Sequence, residues 1–118
     1  MFSFKYAFSG LRYVVRSQQN AWIHAGITIF VLLIAVLLKI TPIEWGILLL
    51  AIGLVWTAEI FNTALEALVD LASPDIHPLA KIAKDTSAAA VLFSAIASVL
   101  IGLVILLPPL IGWIRSIL

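Results

Sequence analysis

The chain has 118 residues, 64% of them hydrophobic and 11% charged, with a mean hydropathy of +1.19. A globule this small would have to cover itself with polar side chains, so the composition excludes a soluble domain and points to the bilayer as solvent. Seven Lys and Arg against six Asp and Glu leave a net charge of +1, too small for a nucleic-acid surface, and the lack of cysteine excludes disulfides and thiolate metal sites.

Residues 1–20 form a region of their own. Phe4, Phe8, Leu11 and Val15 recur at helical spacing while Lys5, Arg12 and Arg16 interrupt the other faces. This is the pattern of an amphipathic helix lying in the membrane interface. A signal peptide would need a continuous apolar core and a small-residue cleavage site, which the stretch lacks.

Three longer apolar segments follow, predicted as helices over 21–40, 43–71 and 78–107. Each contains close to the roughly 20 residues that cross a hydrocarbon core. Helix is the conformation expected, because a single segment in lipid must satisfy its own backbone hydrogen bonds. Pro74 and Pro78 mark a turn between the second and third spans, and Pro108-Pro109 is expected to stop the third. The fold class predicted is all-α membrane protein, with one surface helix and three transmembrane helices.

Charge sets the orientation. Lys5, Arg12, Arg16, Lys81 and Lys84 flank one side of the spans, and Lys39 and Arg115 the other. The positive-inside rule then places the N-terminus and the 72–85 connection in the cytoplasm. Trp45 and Trp113 fall at the outer interface and Trp22 at the inner one.

Within the second span, the stretch EIFNTALEALVD puts Glu59, Asn62, Glu66 and Asp70 at spacings that stack them on one helical face. Glu59 lies about 21 Å along the helix from Trp45 and Glu66 about 31 Å, inside the inner leaflet and near its headgroups respectively. Ionisable groups at such depth cost about 2.5–3.5 kcal/mol each on insertion scales, so they are expected to face partners within a bundle. An antiparallel hairpin centred between residues 74 and 75 would set Lys84 and Asp85 beside Asn62 and Glu66. Gln18, Gln19 and Asn20, before the first span, are expected to reach the same membrane depth from another direction.

Carboxylates and amides gathered there could hold Mg²⁺ with substrate phosphates, a lysine could neutralise phosphate charge, and a carboxylate withdrawn from water suits a general base. Such a site could move a phosphoryl group from a nucleotide to a lipid hydroxyl. No GxxxxGK[ST] sequence is present, so a nucleotide site here would not be a P-loop. The residues alone leave two other readings open, a non-catalytic assembly subunit whose stripe packs helices and a proton or ion pathway. His24 and His77 read as interface residues, and the run Ala88 to Ala90 as a close helix contact.

The stretches AEIFNTALEALVD and HPLAKIAKDTSAAAV, with FKYAFSGLRYVVRS and IEWGILLLAIGLVWTAE, resemble the bacterial integral-membrane diacylglycerol kinase family, which includes the undecaprenol kinases. The resemblance covers nearly the whole chain, 1–118, as a single membrane-embedded lipid kinase domain. It implies a homotrimer in the bacterial inner membrane, with active sites shared between protomers on the cytoplasmic side. It also implies ATP as phosphoryl donor, Mg²⁺ as cofactor, and undecaprenol or diacylglycerol as acceptor. The short cues IEW and HPLAK are more similar to the undecaprenol branch.

By the same resemblance Glu59 matches the general base acting on the lipid hydroxyl and Glu66 a metal ligand. Asn62, Lys84 and Asp85 match polar residues of the active site, with Lys84 facing the transferred phosphate, and Asp70 the acidic end of the motif on the nucleotide side. Gln18 stands where many relatives carry a metal-binding glutamate. Its carbonyl remains a ligand but one negative charge is gone, so a raised Mg²⁺ requirement is expected.

Overall fold

The computed structural model describes residues 3–118 and contains four helices: α1 (Phe4–Ser17), α2 (Gln19–Leu38), α3 (Pro42–Ala72) and α4 (Pro78–Ile117). Three of them, α2, α3 and α4, are long and apolar enough to cross a membrane, which makes the chain a multi-pass membrane protein. The 40 residues of α4 would extend about 60 Å at 1.5 Å per residue. The molecule's longest dimension is also 60 Å, so α4 sets its length.

Local sequence accounts for most of the helix ends. Thr41 and Glu44 form a reciprocal capping box at the start of α3, with Glu44 N–H donating to Thr41 Oγ1 (3.2 Å) and Thr41 N–H to Glu44 Oε1 (3.0 Å). Pro42 follows at the first helical position, where a missing N–H loses nothing. Lys39 closes α2 in the left-handed region at φ 54°, turning the chain tightly into that cap. At the turn between α3 and α4, Ser73 N–H donates to Val69 O (2.8 Å), and His77 caps α4 by accepting the Leu79 N–H on Nδ1 (3.1 Å). His77 is thus a helix cap.

The third span departs from expectation. Pro108 and Pro109 lie inside α4, which continues to Ile117. The two prolines remove the bonds to the carbonyls of residues 104 and 105, but the apolar residues beyond regain the helical ladder as far as Leu118 N–H to Ile114 O (3.2 Å). The helix survives the two lost bonds because the residues beyond them make their own bonds to the carbonyls four residues back.

The antiparallel pair α3 and α4 is the most extensive packing in the molecule. Its register follows from the turn: Ser87 Oγ donates to Asn62 Oδ1 (2.7 Å) and Ser98 Oγ to the Ala51 carbonyl (2.9 Å), two contacts that share the midpoint expected between residues 74 and 75. At the end far from this turn, Ala35, Ile40, Leu48 and Ile105 form a small dry core with Trp45 and Ile101 against it. Helix α2 leans on both helices, and α1 touches α2 and α3.

Most large apolar side chains remain exposed, including Phe8, Phe30, Leu50 and Phe93. On α1 the residue that packs inward is Val14, at the edge of the predicted stripe, while Phe8 and Leu11 face outward as a membrane-lying surface requires. The run Ala88 to Ala90, expected at a helix contact, is exposed. Within one chain α4 turns other residues, such as Ser94 and Ile105, toward its neighbours.

Candidate active site

The polar stripe of α3 faces into the bundle. Glu59, Asn62 and Thr63 are buried, with Glu59 at 0% exposure, and Glu66 is half-buried. Periodicity explains the arrangement, since residues three and four apart share a face. On the same face toward the dry end come Leu48, Ala51 and Val55, so one helix side runs from hydrocarbon packing to carboxylates.

Gln18, Asn20, Ile23, His24, Glu59, Asn62 and Glu66 line a cleft of about 360 Å³ that α4 closes with Ala88, Val91, Leu92 and Ala95. Gln18 sits in an extended link between α1 and α2, and this break aims its side chain at α3. Its Nε2 donates to Glu66 Oε2 (3.3 Å), while Asn62 Nδ2 donates to Glu66 Oε1 (3.1 Å). Asn62 in turn accepts from Ser87. Each Glu66 oxygen therefore has an amide donor, and the chain Ser87–Asn62–Glu66–Gln18 ties α4, α3 and the link together.

Glu59 is different: neither carboxylate oxygen has a hydrogen-bond partner. The nearest ionisable group is His24 on α2, whose Nε2 lies 3.7 Å from Glu59 Oε2, an ion-pair distance but too long for a hydrogen bond. A buried carboxylate without donors is costly, and such orphan groups are retained where chemistry uses them.

Lys84 bonds Asp70 at 2.5 Å, one turn beyond Glu66 and within electrostatic reach of it. This half-exposed pair stands beyond Glu66, toward the α3–α4 turn. Asp85, expected beside Asn62 and Glu66, is not there. It holds Lys81 at 2.5 Å on the exposed side of α4, and among the described residues no hydrogen bond or ion pair joins it to the cluster. The reason is geometric: consecutive residues on a helix point about 100° apart, so Lys84 and Asp85 cannot both face α3. Ser87, three residues beyond Lys84, takes the place beside Asn62.

His24 is the site residue that sequence reasoning assigned to the interface. Its ring meets Trp56 edge-on at 6.4 Å, and Trp56 Nε1 donates to Thr28 Oγ1 (3.1 Å). It also lines an apolar cavity of about 370 Å³ between α2, α3 and α4, bounded by Ile27, Val31, Val55, Ser98 and Leu103 among others. Polar cleft and apolar cavity therefore adjoin at the imidazole.

A family profile described as prokaryotic diacylglycerol kinase matches residues 5–106. The chain belongs to that family. It is 45% identical over 111 residues to a diacylglycerol kinase of Synechocystis sp., covering 93% of this chain and 63% of the relative's length. It is 43% identical over 108 residues to an undecaprenol kinase of Bacillus subtilis, covering 92% of this chain and 88% of the relative. An Escherichia coli diacylglycerol kinase is 32% identical over 102 residues, covering 86% of this chain and 83% of the relative. These are all names of lipid kinases.

Kinases of this kind imply a divalent cation with the nucleotide, and the donor set was compared with that demand. No group of three His, Asp or Glu side chains comes together among the described residues, so the chain builds no closed cage. Mg²⁺ is commonly held by one or two carboxylates plus substrate phosphates. Glu66 with Gln18 fits that smaller requirement, since a half-turn of the Gln18 amide exchanges its N–H₂ for a carbonyl oxygen on the same side as the Glu66 carboxylate.

Proposed function

We propose that residues 1–118 act as one membrane-embedded lipid kinase domain, moving the γ-phosphoryl group of ATP to the terminal hydroxyl of a membrane lipid. The single observation that carries this reading is Glu59: a fully buried carboxylate, without a hydrogen-bond donor, lining the polar cleft 3.7 Å from His24, the residue at which that cleft adjoins the apolar cavity. A stripe that only packs helices has no need of an unpaired carboxylate there, whereas a base acting on a lipid hydroxyl does.

Nucleotide phosphates would enter the cleft from the cytoplasmic mouth, where Lys84 exchanges Asp70 for phosphate oxygens. Glu66 and Gln18 are the residues that would hold Mg²⁺, which supplies charge neutralisation across the phosphates when bound. Asn62 orients Glu66. The lipid's hydrocarbon lies along the apolar cavity, and its hydroxyl approaches Glu59, which takes the proton as the oxygen attacks phosphorus. Catalysis then comes mainly from positioning and charge stabilisation, as for phosphoryl transfer in general.

Asp70 keeps Lys84 extended on the nucleotide side before phosphate arrives. Asp85 faces outward in a single chain, and its proposed role belongs to a site completed by a neighbouring copy in a homotrimer. The charge asymmetry of the flanks supports an inner-membrane protein with its N-terminus and active site in the cytoplasm.

Undecaprenol is the proposed acceptor, on the length-matched similarity to the B. subtilis undecaprenol kinase. Diacylglycerol is the second reading, favoured by the similarity to the Synechocystis diacylglycerol kinase. Side-by-side phosphorylation of the two lipids in detergent with labelled ATP tests both. Faster labelling of undecaprenol is expected. Labelling of neither by assembled protein would return the chain to the assembly-subunit reading, and proton flux in liposomes would favour the pathway.

A further inference from the structure

We propose that His24 is the positioning residue for Glu59 and the group through which Glu59 returns its proton to water, an inference that rests on the kinase reading above. A base that is 0% exposed faces a problem at the end of every turnover. The proton it has taken from the lipid must leave, and no water-facing surface of Glu59 exists to release it.

Among the described residues no other side chain is paired with the Glu59 carboxylate. Thr63 Oγ1, the nearest hydroxyl on the same helix, donates to the Glu59 backbone carbonyl (3.0 Å) and not to its carboxylate. The α4 wall of the cleft consists of Ala88, Val91, Leu92 and Ala95, without a titratable group. The link before α2 presents the amides Gln18 and Asn20. Glu66 is the other ionisable side chain lining the cleft, and its hydrogen bonds run to Gln18 and Asn62, not to Glu59. That leaves His24, at 3.7 Å, with 18% of its side chain exposed against 1% for that of Glu59.

The imidazole is also held in place. Trp56, three residues before Glu59 on α3, packs edge-on against it, and the Trp56 indole is anchored to Thr28, one helical turn beyond His24 on α2. The contact that orients His24 therefore ties the same two helices as the His24–Glu59 pair. A small rotation brings Nε2 to hydrogen-bonding distance.

The step balances without a further reactant. The lipid O–H bond breaks as its oxygen bonds to the γ-phosphorus, and the phosphorus–oxygen bond to ADP breaks with its electron pair leaving on ADP. The hydroxyl proton passes to the Glu59 carboxylate, from there to His24 Nε2, and from the imidazolium to water in the cleft.

The test uses the full chain in detergent, with His24→Ala and His24→Gln assayed for lipid phosphorylation. His24→Ala should lower kcat at least about tenfold with KM for ATP nearly unchanged, and added imidazole should restore part of the rate. His24→Gln, which fills the space but cannot carry the proton, should stay slow in the same buffer. In ¹⁵N spectra the His24 ring signals should shift on Glu59→Gln.

Native kcat in His24→Gln would overturn the relay, as would His24 signals indifferent to Glu59→Gln. A slow His24→Ala chain that imidazole does not restore would assign His24 to packing alone. A native chain that labels no lipid overturns the kinase reading itself, and the relay with it, while the ring signals still decide whether the pair exists.

Discussion

The two ends of the α3–α4 hairpin are built on one register yet solve opposite problems. Far from the turn, Leu48 and Ile105 pack with Ala35 and Ile40 in a core without polar side chains. Toward the turn, Asn62, Glu66 and Gln18 satisfy one another while Glu59 is left unpaired between them and the dry end. The difference separates an end whose packing is complete in itself from one that leaves a buried carboxylate without a partner, the end to which the proposed chemistry is assigned.

Breaking the second end should therefore abolish activity without unfolding the first. Glu59→Gln keeps the shape and removes the base, so kcat should fall by about two to four orders of magnitude with the helices intact. Labelled-ATP assays beside thermal unfolding in detergent check this. Full activity in Glu59→Gln would remove the role assigned to that carboxylate.

The converse substitution is Ile105→Ala. It empties a 6% exposed position in the dry core, outside the lining of the apolar cavity, and large-to-small changes at such sites destabilise by about 2–5 kcal/mol. Unfolding should shift accordingly while kcat of the remaining folded protein stays near native. A variant that lost activity with no loss of stability would mean the two ends are coupled.

How far this division could be read from sequence differs between the ends. The polar stripe and the hairpin midpoint follow from helical spacing and two prolines, and the Ser87–Asn62 and Ser98–Ala51 contacts sit where those rules place them. His24 was not legible because α2 is apolar around its whole circumference, so its periodicity does not say which face meets α3. Asp85 was misplaced because pairing it with Lys84 ignored the angle between consecutive residues. Pro108-Pro109 reads as a stop because proline ends many helices, but the pair costs only the bonds to residues 104 and 105 and α4 continues beyond it.

A smaller effect sharpens the polar end. Gln18→Glu restores a negative charge beside Glu66, so the Mg²⁺ concentration for half-maximal rate should fall, by about tenfold if one charge-assisted ligand is gained. Rate measured against Mg²⁺ for both chains decides it. Unchanged or poorer metal response in the variant would mean that Gln18 serves Glu66 only as a hydrogen-bond donor, as in the Gln18 Nε2 to Glu66 Oε2 bond.

The smallest expected effect concerns the one acidic candidate that lies outside both ends. Asp85 and Lys81 form an exposed pair on a single helix, and pairs of that kind add little to stability because water and salt compete for both partners. Lys81→Gln should thus leave the unfolding midpoint in place and change the rate by less than about twofold. If Asp85 serves a neighbouring copy, so weak a hold is what allows it to change partners on assembly, and Asp85→Asn should then slow the assembled enzyme although Lys81→Gln does not. Equal indifference to both substitutions would make the pair a solvated surface feature and confine the site to Glu59, Asn62, Glu66 and the Lys84–Asp70 mouth.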